Sequence, residues 1–353
     1  MPNLTKARLP GRLLAGGLFA CVLGAGFGLA SMGETGSGAQ AAVGPEVLLA
    51  AGDVAECDEA GDEATEAILA QQPGTVAMLG DGAYPDGTAQ EYAECYGASW
   101  GRHNDRTRPV TGNHDYVEKG APGYFGYFGA AAGEAQKGYY SYDLGAWHLI
   151  ALNSSCKEVG GCTAGSPMET WLKADLDATQ AQCILAYWHH PRYFSPSLEP
   201  GVGKVDPEDK KMTHIWRDLQ AAGVDVVLTG HRHNYERFVR QDADGHPDPS
   251  GPREFVVGTG GGPHHLFTGP VAPGSEVRAD GVWGVLRMAL RADGYDWSFL
   301  PVAGQTFTDS GKDTCQPQPG ATSATTSAPT STSAPTSTST SGPSTTTGAS
   351  RPR

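Results

Sequence analysis

The chain has 353 residues, with 25 Lys and Arg against 39 Asp and Glu, for a formal net charge of −14. That balance argues against a surface for nucleic acid or another polyanion, which needs compensating cations. It still permits a small anionic substrate, because bound metal ions can dominate a local field.

Residues 1–41 read as a secretory signal peptide. Lys6, Arg8 and Arg12 form a basic start, Leu13 to Ala30 is apolar, and Ala39-Gln40-Ala41 offers small residues for cleavage. Ala30 would end a shorter version. The competing reading is an uncleaved anchor, since the apolar run approaches spanning length, but no stable membrane insertion is expected. Without Cys21, six cysteines remain, an even set suited to an oxidising compartment. Six allow fifteen connectivities. Cys156 with Cys162 would close a short Gly-rich loop, Cys57 with Cys95 is a second pairing, and Cys183 with Cys315 follows by elimination.

Glu46 to Ala51 reads as a buried strand running into Gly52-Asp53. A helix over Asp62 to Gln72 follows, acidic in its first turn and stopped by Pro73-Gly74. Strands then end at Leu79 and Thr111. Tyr139 to Asn153 reads as two antiparallel strands around a Gly turn, so hairpin and parallel elements mix. Ser166, Pro167 and Glu169 supply the cap, first-turn proline and N3 acid of a further helix. The strand Cys183 to Trp188 ends in His189-His190-Pro191. Asp206-Pro207 opens an amphipathic helix carrying Ile215, Trp216 and Leu219, and Gly223 closes it. Val224 to Thr229 runs into Gly230-His231, while Arg253 to Thr259 and Val282 to Pro301 read as strands of a second sheet. The expected fold class is α/β, with two mixed β-sheets packed as a sandwich flanked by helices, over residues 43–314. Residues 316–353 are mostly Pro, Ser, Thr, Gly and Ala, a composition that cannot offset its ordering entropy. That tail is expected to be disordered, as a glycosylated stalk or a passive end.

Several apolar runs deliver metal-binding side chains at their carboxyl ends, where open α/β sheets place their sites. They lead to Asp53, to Gly80-Asp81-Gly82, to Gly112-Asn113-His114-Asp115, to His189-His190 and to Gly230-His231-Arg232-His233. Carboxylate, amide oxygen and imidazole together suit iron, zinc or manganese better than calcium. Two cations about 3.5–4 Å apart need a shared carboxylate. Asp81, flanked by glycines, is the natural bridge; Asp53 belongs to one ion and Asn113 to the other. His231 and His233 project the same way from an extended segment and can serve different ions, and His189 completes the second. His190 is expected to line the pocket or hydrogen-bond nearby. His264 and His265 read as a plain surface loop, with contact to substrate as the alternative, and His148 as a packed core histidine. Glu236 and Arg237 are expected to pair behind the site.

This constellation resembles the calcineurin-like metallophosphoesterase superfamily, and its details resemble the purple acid phosphatase branch. Most of the superfamily opens with Asp-x-His, whereas the matching positions here are Asp53-Val54-Ala55. In the purple acid phosphatases a tyrosine three residues after the bridging aspartate takes over, and Tyr84 stands there. The blocks at Asn113, His189-His190-Pro191, His231-Arg232-His233 and Val257-Gly258-Thr259-Gly260-Gly261 also match, so the resemblance runs roughly from Val47 to Thr259. Plant members carry an extra N-terminal β-sandwich, and none is expected between the signal peptide and Val47.

The resemblance implies that Asp53, Tyr84 and His233 hold Fe(3+), with Asp81 bridging to a divalent ion (Fe2+, Zn2+ or Mn2+) held by Asn113, His189 and His231. A metal-bound hydroxide would attack phosphorus in line. His114 would donate to the phosphate or protonate the leaving alkoxide, oriented by Asp115. The expected activity is that of a secreted or cell-surface acid phosphatase acting on small phosphomonoesters. The alternatives are a phosphodiesterase for nucleotides or phospholipid headgroups, and an inactive surface-displayed binding protein of the same fold.

Overall fold

A computed structural model describes residues 44–198 and 210–318. The expected signal peptide and the tail beyond Gln318 lie outside the described residues, as does the Asp206-Pro207 step. In chain order the longer strands are β1 (Glu46–Ala51), β2 (Thr75–Leu79), β3 (Thr107–Val110), β4 (Tyr140–Leu144), β5 (Trp147–Ala151) and β6 (Cys183–Tyr187). They continue with β7 (Val226–Thr229), β8 (Tyr235–Arg240), β9 (Arg253–Val257), β10 (Ser275–Ala279), β11 (Gly284–Arg291), β12 (Gly294–Pro301) and β13 (Ser310–Thr314). The principal helices are α1 (Gly61–Leu69), α2 (Ala89–Glu94), α3 (Pro122–Phe128), α4 (Pro167–Ala178) and α5 (Thr213–Ala221).

Six strands form one sheet in the order β13-β12-β11-β1-β2-β3, and seven form another in the order β10-β8-β9-β7-β6-β5-β4. Within the first, β1, β2 and β3 are parallel. Pro109 falls in β3, the edge strand, where a missing backbone donor is tolerated. Within the second, β5, β6, β7 and β9 are parallel. Side chains alternate between the faces of these strands. Leu149, Leu185, Tyr187, Val226 and Leu228 join the cluster shared with Leu48, Ala50 and Met78 of the first sheet. Ile150, Ile184, Ala186 and Val227 turn the other way, onto Met168 and Leu172 of α4 and Ile215, Trp216 and Leu219 of α5. Two mixed sheets therefore pack over a common core with helices outside, as the composition of the runs implies.

The sequence reading needs four corrections. Arg253–Val257 and the two strands within Val282 to Pro301 belong to different sheets: β9 lies between β8 and β7, whereas β11 pairs antiparallel with β1. The described helix carrying Trp216 starts at Thr213. Glu236 and Arg237 do not pair with each other, because consecutive strand residues point to opposite faces. Glu236 accepts from the Ser195 backbone and hydroxyl, while Arg237 binds Asp309 and Glu276.

The fourth correction is His148, which is clamped between carboxylates rather than packed among apolar groups. Nδ1 lies 2.8 Å from Asp143 on β4 and Nε2 lies 2.9 Å from Asp175 on α4. The three disulfides are Cys57–Cys95, Cys156–Cys162 and Cys183–Cys315, among the fifteen connectivities the one favoured above.

Burial works against a charged His148, but the hydrogen bonds to Asp175 and Asp143 outweigh it and raise its pKa above the ordinary value. A folded pKa above the unfolded one, about 6.5, gives stabilisation that is complete below that pH. It is lost as pH rises through the folded value. His148→Gln should therefore melt below wild type at pH near 5, and the gap should close toward alkaline pH; thermal melts across that range provide the check.

Candidate metal centre

The carboxyl ends of the parallel strands of both sheets meet at one edge. Residue 53 follows β1, residues 81 and 84 follow β2, and residue 113 follows β3. From the other sheet, residue 189 follows β6 and residues 231 and 233 follow β7. The turns are tied to one another: Asp53 N donates to Gly80 O at 3.0 Å, Val54 N to Asp81 O at 2.9 Å, and Gly230 N to His189 O at 2.9 Å. Asp53, Asp81 and His231 adopt φ values of 59°, 51° and 66°. Left-handed backbone at non-glycine residues costs about 1–3 kcal/mol and collects at functional sites. Asp and His tolerate it better than most side chains.

Two glycines show how closely the turns approach. A Cβ on Gly80, itself at φ +87°, would lie 2.6 Å from His189 Nδ1, and a Cβ on Gly112 would land on the Asp81 carboxylate.

Seven donor side chains converge. Tyr84 Oη is 3.0 Å from Asp53 Oδ1, 3.0 Å from His233 Nε2 and 3.3 Å from Asp81 Oδ2. His233 Nε2 is also 3.2 Å from Asp53 Oδ1. On the other side, His189 Nε2 is 3.0 Å from the same Asp81 Oδ2 and 3.2 Å from Asn113 Oδ1. Asp81, His189 and His231 each bring a ligand atom within 4.8 Å of the others. Neighbouring donors around a six-coordinate ion with bonds of ~2.1 Å lie about 3 Å apart. The spacing therefore fits two adjacent cations sharing Asp81.

Outer contacts fix the rings. Leu79 O, 2.8 Å from His189 Nδ1, can only accept, so that nitrogen carries a proton and Nε2 is the ring nitrogen turned to the cluster, where it would bind a metal on losing its own proton. Pro263 O does the same for His233 Nδ1.

Charge follows the geometry. Burial alone would raise Asp81 and Asp53. The attraction of His189 holds Asp81 far below the ordinary carboxylate range, and His233 then His189 hold Asp53 below it. His189 loses basicity through burial, but Asp81 more than restores it, to about 9. Burial followed by the Asp53 and Asp81 charges pushes the Tyr84 phenol well up. A phenol so placed ionises only against a strong Lewis acid, and a coordinated cation supplies one.

The three expected catalytic residues lie beside this cluster in different ways. His114 stacks on Tyr84 with ring centroids 4.6 Å apart, and its Nδ1 donates to Pro85 O at 2.5 Å. His190 is buried, with Nδ1 2.8 Å from Ser154 Oγ. Asp115 does not orient the His114 ring. Its carboxyl accepts from Gly112 N at 2.7 Å and from Tyr92 Oη at 2.5 Å, closing the turn that presents Asn113 and His114. Burial followed by repulsion from Asp81 pushes its pKa up to about 7.

Sequence reasoning missed Tyr92, Ser154, the two carbonyls and the role of His265. His265 stacks on His233 at 3.9 Å with planes 4° apart. Its position after the glycine run is the only signal that could have drawn attention to it. His264 instead packs on Trp283. The group Cys183, Asp225 and Cys315 also has clustered ligand atoms. Its cysteines form a disulfide, and Asp225 accepts from Ile184 N and Gln316 N.

Gly112→Ala should keep a cooperatively melting fold while displacing Asp81. Metal affinity should fall roughly 10–100-fold, the usual cost of disturbing a ligand's supporting shell, as measured by chelator competition and elemental analysis.

Residues 45–235 match the family model for the calcineurin-like phosphoesterase. Purple acid phosphatase 18 of Arabidopsis thaliana is 33% identical over 154 residues, covering 43% of this chain and 32% of that protein. Purple acid phosphatase 21 of the same plant is 32% identical over 146 residues, covering 40% and 31%. The chain thus spans about a third of the length of these relatives. Among solved structures, purple acid phosphatase PPD1 from yellow lupin (Lupinus luteus) superposes with a TM-score of 0.58 at 18% identity, covering 76% of this chain and 53% of that one. GAP50, titled the anchor in the inner membrane complex of Plasmodium, gives 0.56 at 14% identity, covering 78% and 90%. These two likenesses speak for the fold.

Proposed function

This chain belongs to the calcineurin-like phosphoesterase family, whose model spans more than half of it, and from that premise we propose that it is an exported binuclear-metal phosphatase acting on small phosphomonoesters. The observation that carries the reading is Asp81 Oδ2, common to a Tyr84-Asp53-His233 group and a His189-Asn113 group. The first group, with its phenol oxygen, suits a hard trivalent ion, Fe(3+). The second, with His231 added, suits Fe2+, Zn2+ or Mn2+. When bound, the ions would neutralise charge on the phosphoryl oxygens and make a nucleophile of water at neutral pH.

The chain's own groups do the rest. Asn113 contributes a neutral oxygen, which limits repulsion of an anionic ester. His114 spends Nδ1–H on Pro85 O, so only as imidazolium, with a second proton on Nε2, would it donate to a phosphate oxygen or pass that proton to the leaving alkoxide; as neutral imidazole Nε2 is an acceptor. Asp115 and Tyr92 hold the turn that carries both residues. Export is supported by the three disulfides, which persist in oxidising compartments. Among the described residues no helix is long and apolar enough to cross a membrane.

Purified protein should be violet and contain two metals per chain, one of them iron, by visible absorption and elemental analysis. Tyr84→Phe should bleach the band, because the colour requires a phenolate on iron. A colourless wild type holding only zinc or manganese would remove Tyr84 from the ligand set. A chromogenic monoester should be hydrolysed in preference to the corresponding diester, and Asp81→Ala should lose both metals and all turnover. Faster cleavage of the diester would establish a phosphodiesterase instead, and absence of turnover with both metals present would favour the non-enzymatic alternative.

A further inference from the structure

Ser154 follows the end of β5, two residues before Cys156 of the short disulfide loop, and its side chain is fully buried. Its hydroxyl oxygen takes two contacts, both from His190: the backbone N–H at 3.0 Å and the ring Nδ1 at 2.8 Å. The backbone N–H can only donate, so Oγ accepts there. A serine hydroxyl has one proton to give. Among the described residues it has no other acceptor, and burying that proton without a partner would carry a desolvation penalty. The hydroxyl therefore donates to Nδ1, Nδ1 is bare, and the ring proton resides on Nε2.

His190 is held in this pose from other sides. Its carbonyl accepts from Trp188 Nε1 at 2.7 Å, and its ring lies 4.5 Å from the ring of His231 and 5.1 Å from that of His189. Nε2 has no partner among the described residues, and His190 retains 8% of its surface exposed. A neutral N–H donor is thus fixed beside the His189–His231 side of the centre, with its proton uncommitted.

We propose that Ser154 is a positioning residue that locks His190 as the Nε2–H tautomer, and that His190 thereby binds an oxygen of the phosphate group as a neutral hydrogen-bond donor. The ligand half rests on the phosphatase reading, while the tautomer half stands without it. A neutral donor suits a site already rich in positive charge, since it orients the anion without adding to the repulsion among its cationic neighbours. A doubly protonated imidazole would not have that advantage.

The test uses full-length, zinc-loaded protein labelled with nitrogen-15 at histidine. Long-range proton–nitrogen correlation spectra should show His190 protonated at Nε2 and bare at Nδ1. Ser154→Ala should turn this into a tautomer mixture and weaken binding of inorganic phosphate roughly three- to tenfold, the worth of one neutral hydrogen bond. Ser154→Thr, which keeps the hydroxyl, should restore both readouts. His190→Gln, whose amide can offer a donor at similar reach, should retain more phosphate affinity than His190→Phe. A wild-type proton on Nδ1, or a Ser154→Ala protein with unchanged tautomer and phosphate affinity, overturns the proposal. The stated tautomer in a wild type that binds no phosphate overturns the ligand assignment together with the phosphatase reading.

Discussion

Asp81 and Asp53 are almost wholly removed from water, at 1% and 0% exposure, and burying ionised carboxylates is costly unless each is answered by a partner. His189 faces the first and His233 the second at close to 3 Å, and Tyr84 Oη touches both carboxylates. The balance is reciprocal: each acid holds its histidine's proton, and each histidine keeps its acid ionised. Removing any member leaves an uncompensated charge in a dry setting. The positions of both sheets, the tied turns and the glycine approaches all serve to keep these groups at that range.

That demand explains where the backbone is strained. Three donors leave their strands through left-handed residues, because a strand continuing in extended form would send its next side chain to one face of the sheet instead of across its end. The strain is held by hydrogen bonds between turns, so the strand ends of one sheet support one another before any ligand is considered. Across the gap, His189 Nδ1 reaches Leu79 O and His231 N reaches Asp53 Oδ2 at 2.7 Å. The two sheets are thus stitched at the site itself as well as through the core between them.

Much of this was legible in the residues. Strand ends are marked by apolar runs terminating in Gly, Asp, Asn or His, and the donors at 53, 81, 113, 189, 231 and 233 all converge where such ends meet. Sheet membership was not legible: nothing local distinguishes Arg253–Val257 from Gly284–Arg291, since both are β-rich runs and their partners are set by chain topology. The supporting shell was hidden for a different reason. Leu79 O and Pro263 O act through the backbone, which every residue carries, and Ser154 and Tyr92 lie 36 and 23 positions from the groups they bind. Asp115 was misjudged because adjacency to His114 suggested contact, whereas the tight turn directs its carboxyl back to Gly112 N.

Under the proposed reading Tyr84 stands in for the second imidazole found in most of the superfamily, and the way β1 ends is consistent with that exchange. Val54 and Ala55, the two residues after Asp53, are fully buried apolar groups. Ala55 is locked in register with Ala83, in a short parallel bridge that sets Glu56 beside Tyr84. An imidazole at position 55 would need space that the apolar core already fills, whereas Tyr84, from the neighbouring turn, reaches back across Asp81 to Asp53 and would supply that donor. A phenol is a poorer ligand than imidazole until it loses its proton, and burial here opposes that loss. Under the proposed reading this makes the site selective by acidity: only an ion able to ionise a buried phenol completes the Asp53 side. The more neutral His231 and Asn113 leave the other side open to several divalent metals.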